Sequence, residues 1–291
     1  MAASLNVVGV ENRNTPMVIS VNTNAGALVA LQNLNTTEAQ LATAQNQVST
    51  GLAVATAQDN GAIFAIAQNQ RATSSALTSV TQSLQRVQST VNVASTAGTT
   101  VSDLLNQLKA TALSAADTST NTTSRLALNA TFTSILQEIK SVVSNAQFNG
   151  INLIDGSVPN LAALASVDGV SKLTVAAESL ALGGTNITIP ATASITTVTL
   201  AITALAEVGT SITNVNNALA KLGSSANALQ TQITFTGDLQ DTIDTGVGNL
   251  VNANLAKESA TLTALQTKQS LGIQALSIAN SSSQTLLGLF R

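Results

Sequence analysis

The sequence predicts a mainly α protein: a long antiparallel helical coiled-coil rod made from both chain ends, with a small β-rich insert of hairpins in the middle. Apolar residues recur at steps of three and four along residues 77–108 and again along 212–233, which places one narrow apolar seam on each helix. Residues 150–195 lose this spacing and are rich in Gly, Pro and Thr. The two helical ends must therefore pack on each other or on other copies.

Composition limits the kind of core that this chain can build. Apolar residues make up 44% of the 291 residues, but aromatic residues only 2%, with no Trp and no Tyr. Burial must come from Ala and aliphatic side chains, which suits extended helices better than a thick globule. A helix of about 35 residues is about 50 Å long, so we expect a rod.

Charge and residue usage exclude several classes of function. The net charge is −3 and the 11 Lys and Arg are scattered, so no surface is built for nucleic acid. No apolar run approaches the roughly 18 residues that span a bilayer, so we expect no membrane insertion. The absence of Cys and His removes thiolate and imidazole chemistry and the usual zinc ligands. We expect neither an enzyme nor a cofactor, and interpret the acidic cluster Asp238, Asp241 and Asp244 as a solvated helix face.

The N-terminal half is predicted to contain three helices. Asn22 or Asn24 is a suitable N-cap for the first helix. A second helix follows the interruption from Gly51 to Gly61, and a Ser/Thr/Asn-rich break at 117–124 precedes the third. The expected ranges are 24–49, 62–97 with a continuation to 108 after Gly98, and 125–146.

The period changes at Asn149–Gly150, a dipeptide that favours a tight turn with positive φ. Short strands are predicted at 151–154, 173–176 and 187–189, in an insert at the far end of the out-and-back path. Residues 196–207 remain open, because their apolar spacing fits a helix while their threonines favour a strand. Helix is predicted again over 211–236 and over 249–289.

Four ordered motifs resemble those of bacterial flagellins. Met17–Asn24 resembles the start of the family, which reaches Ile/Val-Asn-Thr-Asn a few residues after Met. Ser49–Leu52, followed by Ala57–Ala62, is similar to the family's Ser-Ser-Gly-Leu and Ala-Lys-Asp-Asp-Ala-Ala. Gln147–Gly150 matches its Phe-Asn-Gly, and Leu271–Arg291 resembles its C-terminus, which closes on Leu-Phe-Arg. The alphaproteobacterial members with short inserts are the most similar in their local sequence.

The resemblance implies a structural subunit of the flagellar filament, exported unfolded through the flagellar secretion apparatus and polymerised outside the cell for motility. Its implied partners are other flagellin subunits, an export chaperone and the filament cap protein. Residues 17–61 and 249–291 would form the inner tube, 62–150 and 211–248 the outer-tube rod, and 151–210 a variable insert. Residues 1–16, which the family usually lacks, would be either a true N-terminal extension or the result of a start codon assigned too early.

The resemblance and the apolar stripes together predict two sets of residues. Candidate subunit-interface residues of the inner tube are Val21, Leu28, Leu31, Leu34, Leu41, Val48, Leu255, Leu262, Leu265, Leu276, Leu286, Leu287, Leu289, Phe290 and Arg291. Candidate rod-core residues are Leu77, Val80, Leu84, Val87, Val91, Phe132, Ile135, Ile139, Val215, Leu219, Leu222 and Leu229.

One departure from the family concerns animal receptors. Residues 106–112 occupy the place where many flagellins carry the stretch read by the innate flagellin receptor. Gln107, Ala110 and Thr111 replace its Arg, Glu and Leu, which removes a bidentate cation and an apolar anchor. We expect weak or no receptor recognition.

Two alternative functions stay open at this point. A hook–filament junction protein shares the terminal plan, although the complete Phe-Asn-Gly and Leu-Phe-Arg motifs favour flagellin. A flagellin-like cell-surface adhesin would use residues 151–210 as its binding surface. That segment has no aromatic residue on which a sugar ring could stack.

Overall fold

The computed structural model describes residues 23–288, with side chains as far as Ser282. The described chain contains α1 (Ala25–Thr50), α2 (Gly61–Ala116), α3 (Thr122–Asn145), β1 (Gln147–Phe148), β2 (Ile151–Asn152), β3 (Asn160–Leu164), β4 (Lys172–Ala176), α4 (Val198–Val251) and α5 (Leu255–Gly288). The predicted fold class is confirmed: the protein is mainly α, with small antiparallel sheets in the middle. The predicted extension, residues 1–16, lies outside the described residues.

The chain divides into two compact units. Unit 1 takes the residues up to Ala67 and those from Gly248 onwards, and unit 2 takes Gln68–Val247. Unit 1 therefore combines two segments that are far apart in the sequence, whereas unit 2 is one continuous segment.

Within unit 2, α2 and α4 run antiparallel along a shared apolar seam. Gln240 Nε2 donates to Thr78 Oγ1 at 3.2 Å. Further along α2, the Leu219 side chain lies so close to Gly98 that an added Cβ would be 2.8 Å from Leu219 Cδ2. The residue number rises along α2 while it falls along α4. Buried residues recur every seventh position of α4, namely Ala201, Val208, Val215, Leu222 and Leu229.

One buried arginine closes the turn between α2 and α3. Arg125 Nε donates to the Ala115 carbonyl at 2.8 Å, and its Nη2 donates to the carbonyls of Asp117 at 3.0 Å and Thr120 at 2.9 Å. The last carbonyls of a helix have no partner inside that helix. The guanidinium supplies donors to them, so this polar turn is fixed rather than loose. The sequence showed the polar break but no signal for the cation.

The predicted tight turn at Asn149–Gly150 is confirmed. Asn149 has φ 51° and Gly150 has φ 78°, and the flanking strands β1 and β2 pair antiparallel with Phe148 opposite Ile151. A second hairpin, β3 with β4, pairs Asn160 with Ala176 and Leu164 with Lys172. The apolar and polar pattern of the sequence did not predict β1 or β3.

The predicted strand at 187–189 is wrong. Ile187 forms only an isolated bridge with Leu182, and no ladder continues from it in the described chain. Ile187 and Ile189 are both fully buried in the core of unit 2. The alternation of apolar and polar residues therefore reflects an extended segment that packs on helices, without a neighbouring strand.

The expectation that the insert occupies the far end of the chain path is also wrong. The Leu164 amide donates to Ser83 Oγ on α2 at 3.1 Å, and Gln232 Nε2 on α4 donates to the Ala165 carbonyl at 3.4 Å. The Thr188 amide donates to Ser211 Oγ at 3.1 Å. The insert thus lies along the helices of unit 2, because its buried apolar residues belong to the same core.

The predicted helix boundaries near α4 need correction. The helix begins at Val198 rather than 211, so residues 198–210 belong to α4 and the predicted insert of 151–210 is too long. Threonine is tolerated there because its hydroxyl can bond to the preceding turn, as Thr203 Oγ1 does to the Thr199 carbonyl at 3.1 Å. The helix continues past 236 to Val251, and α5 begins at Leu255 rather than 249. In α2, Gly98 causes no interruption.

One 18-residue window of α4 is long and apolar enough to cross a membrane, with a mean hydropathy of 1.3. Polar residues interrupt α4, so it contains no unbroken apolar run of that length. Of that window 28% is buried, close to the two positions in seven that a heptad seam covers. Buried core helices can be equally long and apolar, so one such helix among the described residues is weak evidence for a membrane span.

Candidate subunit interface

The site of interest in unit 1 is the pair α1 and α5, which we name the terminal hairpin. Asn24 caps α1, since its Oδ1 accepts a hydrogen bond from the Ala27 amide at 3.0 Å. The Asn24 Nδ2 donates to the Ala279 carbonyl on α5 at 2.7 Å. Ten residues further along α1, Leu34 lies against Gly272. The two helices are therefore antiparallel, and of the two predicted N-caps, Asn22 and Asn24, it is Asn24 that caps α1.

The other end of the terminal hairpin is closed by backbone pairing. Gly51 ends α1 with φ 72°, a conformation that favours glycine. The Ala253 amide donates to the Gly51 carbonyl at 2.9 Å, and the Ala53 amide donates to the Val251 carbonyl at 2.7 Å. These bonds tie the end of α1 to the segment that precedes α5.

A carboxylate orders the loop that follows. Asp59 Oδ2 accepts hydrogen bonds from the Ala55 amide at 3.0 Å, the Thr56 amide at 2.8 Å and the Thr56 hydroxyl at 3.1 Å. The bond from the Thr56 amide is the main cause that holds the pKa of Asp59 below its ordinary value of 3.8. The loop is therefore structured around an ionised side chain.

The interior of the terminal hairpin is thin. In α1 only Thr37, Leu41 and Ala44 are buried. Along the described side chains of α5, residues 255–282, none is fully buried. Each helix therefore satisfies only a small part of its apolar surface within the chain.

Large apolar side chains of the terminal hairpin face outwards instead. Leu28 is 59% exposed, Leu271 is 59% exposed and Ile278 is 69% exposed. Others that are largely exposed are Val29, Leu31, Leu255 and Ile273. Leu271 and Ile273, two residues apart in a helix, point to different sides. A helix that is apolar on more than one side needs cover on more than one side.

The structure separates the predicted interface residues into groups. Exposed are Leu28, Leu31 and Leu255, and half-buried are Leu34, Val48, Leu262, Leu265 and Leu276. Val21, Leu289, Phe290 and Arg291 lie outside the described residues, as do the side chains of Leu286 and Leu287.

The prediction for Leu41 needs correction, because this side chain is buried within the terminal hairpin and is not available to another subunit. It follows Leu34 by one heptad, and both face α5. Val29, Leu271, Ile273 and Ile278 are also largely exposed, although the heptad pattern did not predict them as interface residues. These residues lie off the heptad stripe, and only an apolar count around the whole helix would have found them.

The predicted rod-core residues lie in unit 2. Of these twelve residues all are buried except Leu219, which is half-buried and packs against the same core. They line the seam inside one subunit. Among the described residues no group of three acidic side chains could hold a metal ion, Asp238, Asp241 and Asp244 included.

A groove of about 560 Å³ runs along the terminal hairpin between α1 and α5. Its lining is apolar or small apart from Asn33, Thr37 and one charged residue, Lys268. The Thr37 hydroxyl is already used, since it donates to the Asn33 carbonyl at 2.8 Å. The arrangement offers a shallow, largely apolar site with a cation at its edge, suited to another helix rather than to a reaction.

Comparison with known proteins identifies the class. Residues 21–158 match the bacterial flagellin N-terminal helical region, and residues 205–290 match the bacterial flagellin C-terminal helical region. The chain therefore belongs to the bacterial flagellin family.

Individual flagellins are similar over nearly their full length. Flagellin FljM of Caulobacter vibrioides is 52% identical over 272 residues, which cover 94% of this chain and 98% of that protein. Flagellin FljJ of the same species is 40% identical over 278 residues, covering 94% of this chain and 99% of that protein. A flagellin of Brucella melitensis is 35% identical over 285 residues, covering 94% and 99%. The chain is thus of the alphaproteobacterial type.

Membership in this family makes the chain a structural subunit of the flagellar filament, outside the cell, in a family of structural rather than enzymatic proteins. Its subunits assemble with one another into a helical polymer. The hook–filament junction protein and the adhesin are not favoured.

Proposed function

We propose that the terminal hairpin is the surface through which copies of this chain polymerise, as the inner tube of the filament. The observation that carries this is the exposure of Leu28, Leu31, Leu271 and Ile278 on two helices that bury only a few side chains between them. Covering a large aliphatic side chain that is about half exposed contributes about 1 kcal/mol. A set of such residues on several sides supports several neighbours per subunit.

The contact must be heterologous, so that the polymer stays open. Apolar side chains point to different sides of the terminal hairpin, and each side meets a different neighbour. Contacts between unlike surfaces generate helical polymers when the rotation does not close. Unit 2, which buries its own core, would then form the outer tube, with the insert folded on its helices.

Seeded elongation tests the proposal. A Leu28→Ser substitution in purified monomer should slow net elongation from filament fragments about fivefold, because it removes an exposed apolar contact of about 1 kcal/mol without disturbing the monomer. The matched control is Val170→Ser, which changes a side chain 78% exposed in the β3–β4 turn and should elongate like the unmodified chain. Normal elongation by the Leu28→Ser protein would contradict the proposal.

We further propose that the chain leaves the cell unfolded through the flagellar secretion apparatus, with an export chaperone and the filament cap protein as partners. A chain without cysteine passes a narrow channel without forming crosslinks. The thin interior of the terminal hairpin also makes it easy to hold unfolded before assembly. In cells that lack the export apparatus, immunoblots should find the chain inside and none in the medium; unchanged levels in the medium would refute this route.

We also propose weak or no recognition by the innate flagellin receptor. Gln107 and Ala110 are exposed on α2, so the face that a receptor would read carries an uncharged amide and a methyl group. The Thr111 hydroxyl donates to the Gln107 carbonyl at 2.9 Å and offers no apolar anchor. Purified monomer should fail to activate receptor-expressing cells, and robust signalling would show the proposal wrong.

A further inference from the structure

Two opposite charges in the middle of the terminal hairpin have no partner among the side chains that the structure describes. Glu38 is exposed on α1 and Lys268 is exposed on α5. Neither makes an ion pair or a hydrogen bond through its side chain within residues 23–282. Both lie far from a helix end, so no helix dipole accounts for them.

Among the other charged residues in the described part of the terminal hairpin and its loop, the two acidic ones have local explanations. Asp59 accepts three hydrogen bonds within its own loop. Glu258 lies in the first turn of α5, where a negative charge is favourable. Lys257 is exposed and its side chain has no partner among the described residues either, since only its backbone amide donates to Asn254 Oδ1, but it lies in the first turn of α5, outside the groove. Among the described residues of the terminal hairpin, Lys268 is therefore the unpaired cation that lines the groove, and Glu38 is the unpaired carboxylate in the middle of α1.

Lys268 lines one end of the groove, level with Thr37 on α1, and Gly26 and Ala275 line the other end. The stretch from Gly26 to Thr37 is about 16 Å long at the rise of an α-helix. Small residues, Ala30 and Gly272 among them, leave room for the backbone of a further helix. Val29 and Leu271 stand exposed beside them. The groove can therefore receive one helix face about three turns long.

The terminal hairpin also carries a face of that length. Leu28, Leu31, Asn35 and Glu38 follow each other at steps of three, four and three, so they lie within an arc of about 80° on α1. All four are exposed. Leu28 and Glu38 are about 15 Å apart along the axis. We call these four residues the α1 stripe: two apolar residues at one end and one carboxylate at the other.

We propose that the α1 stripe of one subunit docks into the groove of a second copy of this chain, with the Glu38 carboxylate paired to the Lys268 ammonium. This proposal rests on the proposed function and specifies one of its contacts. The α1 stripe and the groove match in length. Each has a single charge at one end, and the two charges, on Glu38 and Lys268, have opposite signs. Such complementarity fixes register and partner more than it adds affinity.

The docking predicts the direction of the helices. With Glu38 at Lys268, Leu28 lies towards Gly26 of the receiving copy, so the two α1 helices run in the same direction. Subunits related by rotation about and translation along one filament axis keep that common direction. The α1 stripe and the groove are different surfaces of one chain. Each copy therefore docks its α1 stripe into one neighbour and accepts the α1 stripe of another, so the contact propagates without closing.

Charge exchange tests the pairing in seeded elongation of the full chain. Glu38→Lys and Lys268→Glu should each raise the monomer concentration needed for elongation about tenfold or more, because each sets like charges against each other. The double variant should return to within about threefold of the unmodified chain. An equal mixture of the two single variants should elongate where neither does alone, since the groove of each accepts the stripe of the other.

Controls separate this inference from the proposed function. Lys257→Glu makes the same charge change in the same helix outside the groove and should elongate normally. Circular dichroism of each monomer checks that the helices are retained. Normal elongation by both single variants overturns the pairing, as does failure of both the mixture and the double variant. In either case the Leu28→Ser result still decides whether the terminal hairpin polymerises.

Discussion

Replacement of Arg125 by Met should strongly destabilise unit 2, because it removes the buried cation that closes the turn between α2 and α3. The side chain is 8% exposed, and its guanidinium donates to three carbonyls at 2.8 to 3.0 Å. Hydrogen bonds to charged groups contribute about 1.5–3 kcal/mol each, and an unsatisfied buried acceptor costs about 1–3 kcal/mol. Water can reach the partly exposed carbonyls of Asp117 and Thr120, but less easily that of Ala115.

We therefore expect Arg125→Met to lower the free energy of unfolding by about 3 kcal/mol. Arg125→Lys should lose about half as much, because an ammonium keeps the charge but cannot reach three carbonyls as the planar fork does. Urea unfolding followed by far-UV circular dichroism measures both values. The urea concentration at the midpoint of unfolding should fall, while the m-value, the dependence of the free energy of unfolding on urea, stays constant.

The matched control is Arg71→Met, the same chemical change at an exposed position of α2. Arg71 has only one side-chain contact in the described structure, with Gln68 Oε1 at 3.5 Å. Its replacement should change the free energy of unfolding by less than about 0.5 kcal/mol. If Arg125→Met costs no more than Arg71→Met, the guanidinium does not hold the turn and the reasoning fails.

Two further predictions concern two helix glycines in different surroundings and the carboxylate of a loop residue. Gly98→Val should lower the free energy of unfolding by about 1–3 kcal/mol, since the new Cβ would lie 2.8 Å from Leu219 Cδ2; Gly223→Ala, where a Cβ meets nothing within 4 Å, should raise it by about 0.5–1 kcal/mol. If both variants unfold at the same urea concentration as the unmodified chain, the proposed packing of Gly98 against Leu219 is contradicted. Because the pKa of Asp59 is lowered from 3.8, its stabilisation of the loop should be complete above pH 3.8 and lost as the pH falls below that value. Amide exchange at Ala55 and Thr56 should accelerate in acid, and Asp59→Asn should remove this pH dependence; rates independent of pH, after correction for intrinsic exchange, would refute it.

The helical part of the fold follows from spacing alone. The heptad steps from Leu77 to Leu108 and from Ile212 to Ile233 place the buried residues on one face of each helix. That face is apolar whichever helix packs against it. The insert does not follow from spacing, because Ile187 and Ile189 alternate like a strand but pack on helices. The start of α4 was ambiguous for a related reason: threonine favours strands in general, yet its hydroxyl bonds locally within a helix.

The candidate site was predictable in its place but only partly in its residues. Motifs at both ends located the terminal hairpin, and Leu28 and Leu31 are exposed as an interface requires. A stripe of apolar residues cannot distinguish a side chain that faces the partner helix, such as Leu41, from one that faces a neighbouring subunit. That distinction depends on which helix packs where. The charges Glu38 and Lys268, unpaired among the described side chains, become visible only once α1 and α5 are placed together.

Hydrogen exchange in assembled filaments, compared with the monomer, tests the central claim most directly. If the terminal hairpin is the surface of polymerisation, amides of residues 25–50 and 255–282 should exchange more slowly in the filament, since neighbouring helices cover both of its helices. The control is the core seam of unit 2 around Leu84 and Leu222, which is already buried and should change little. Slower exchange confined to residues 151–197, with α1 and α5 unchanged from the monomer, would contradict the claim.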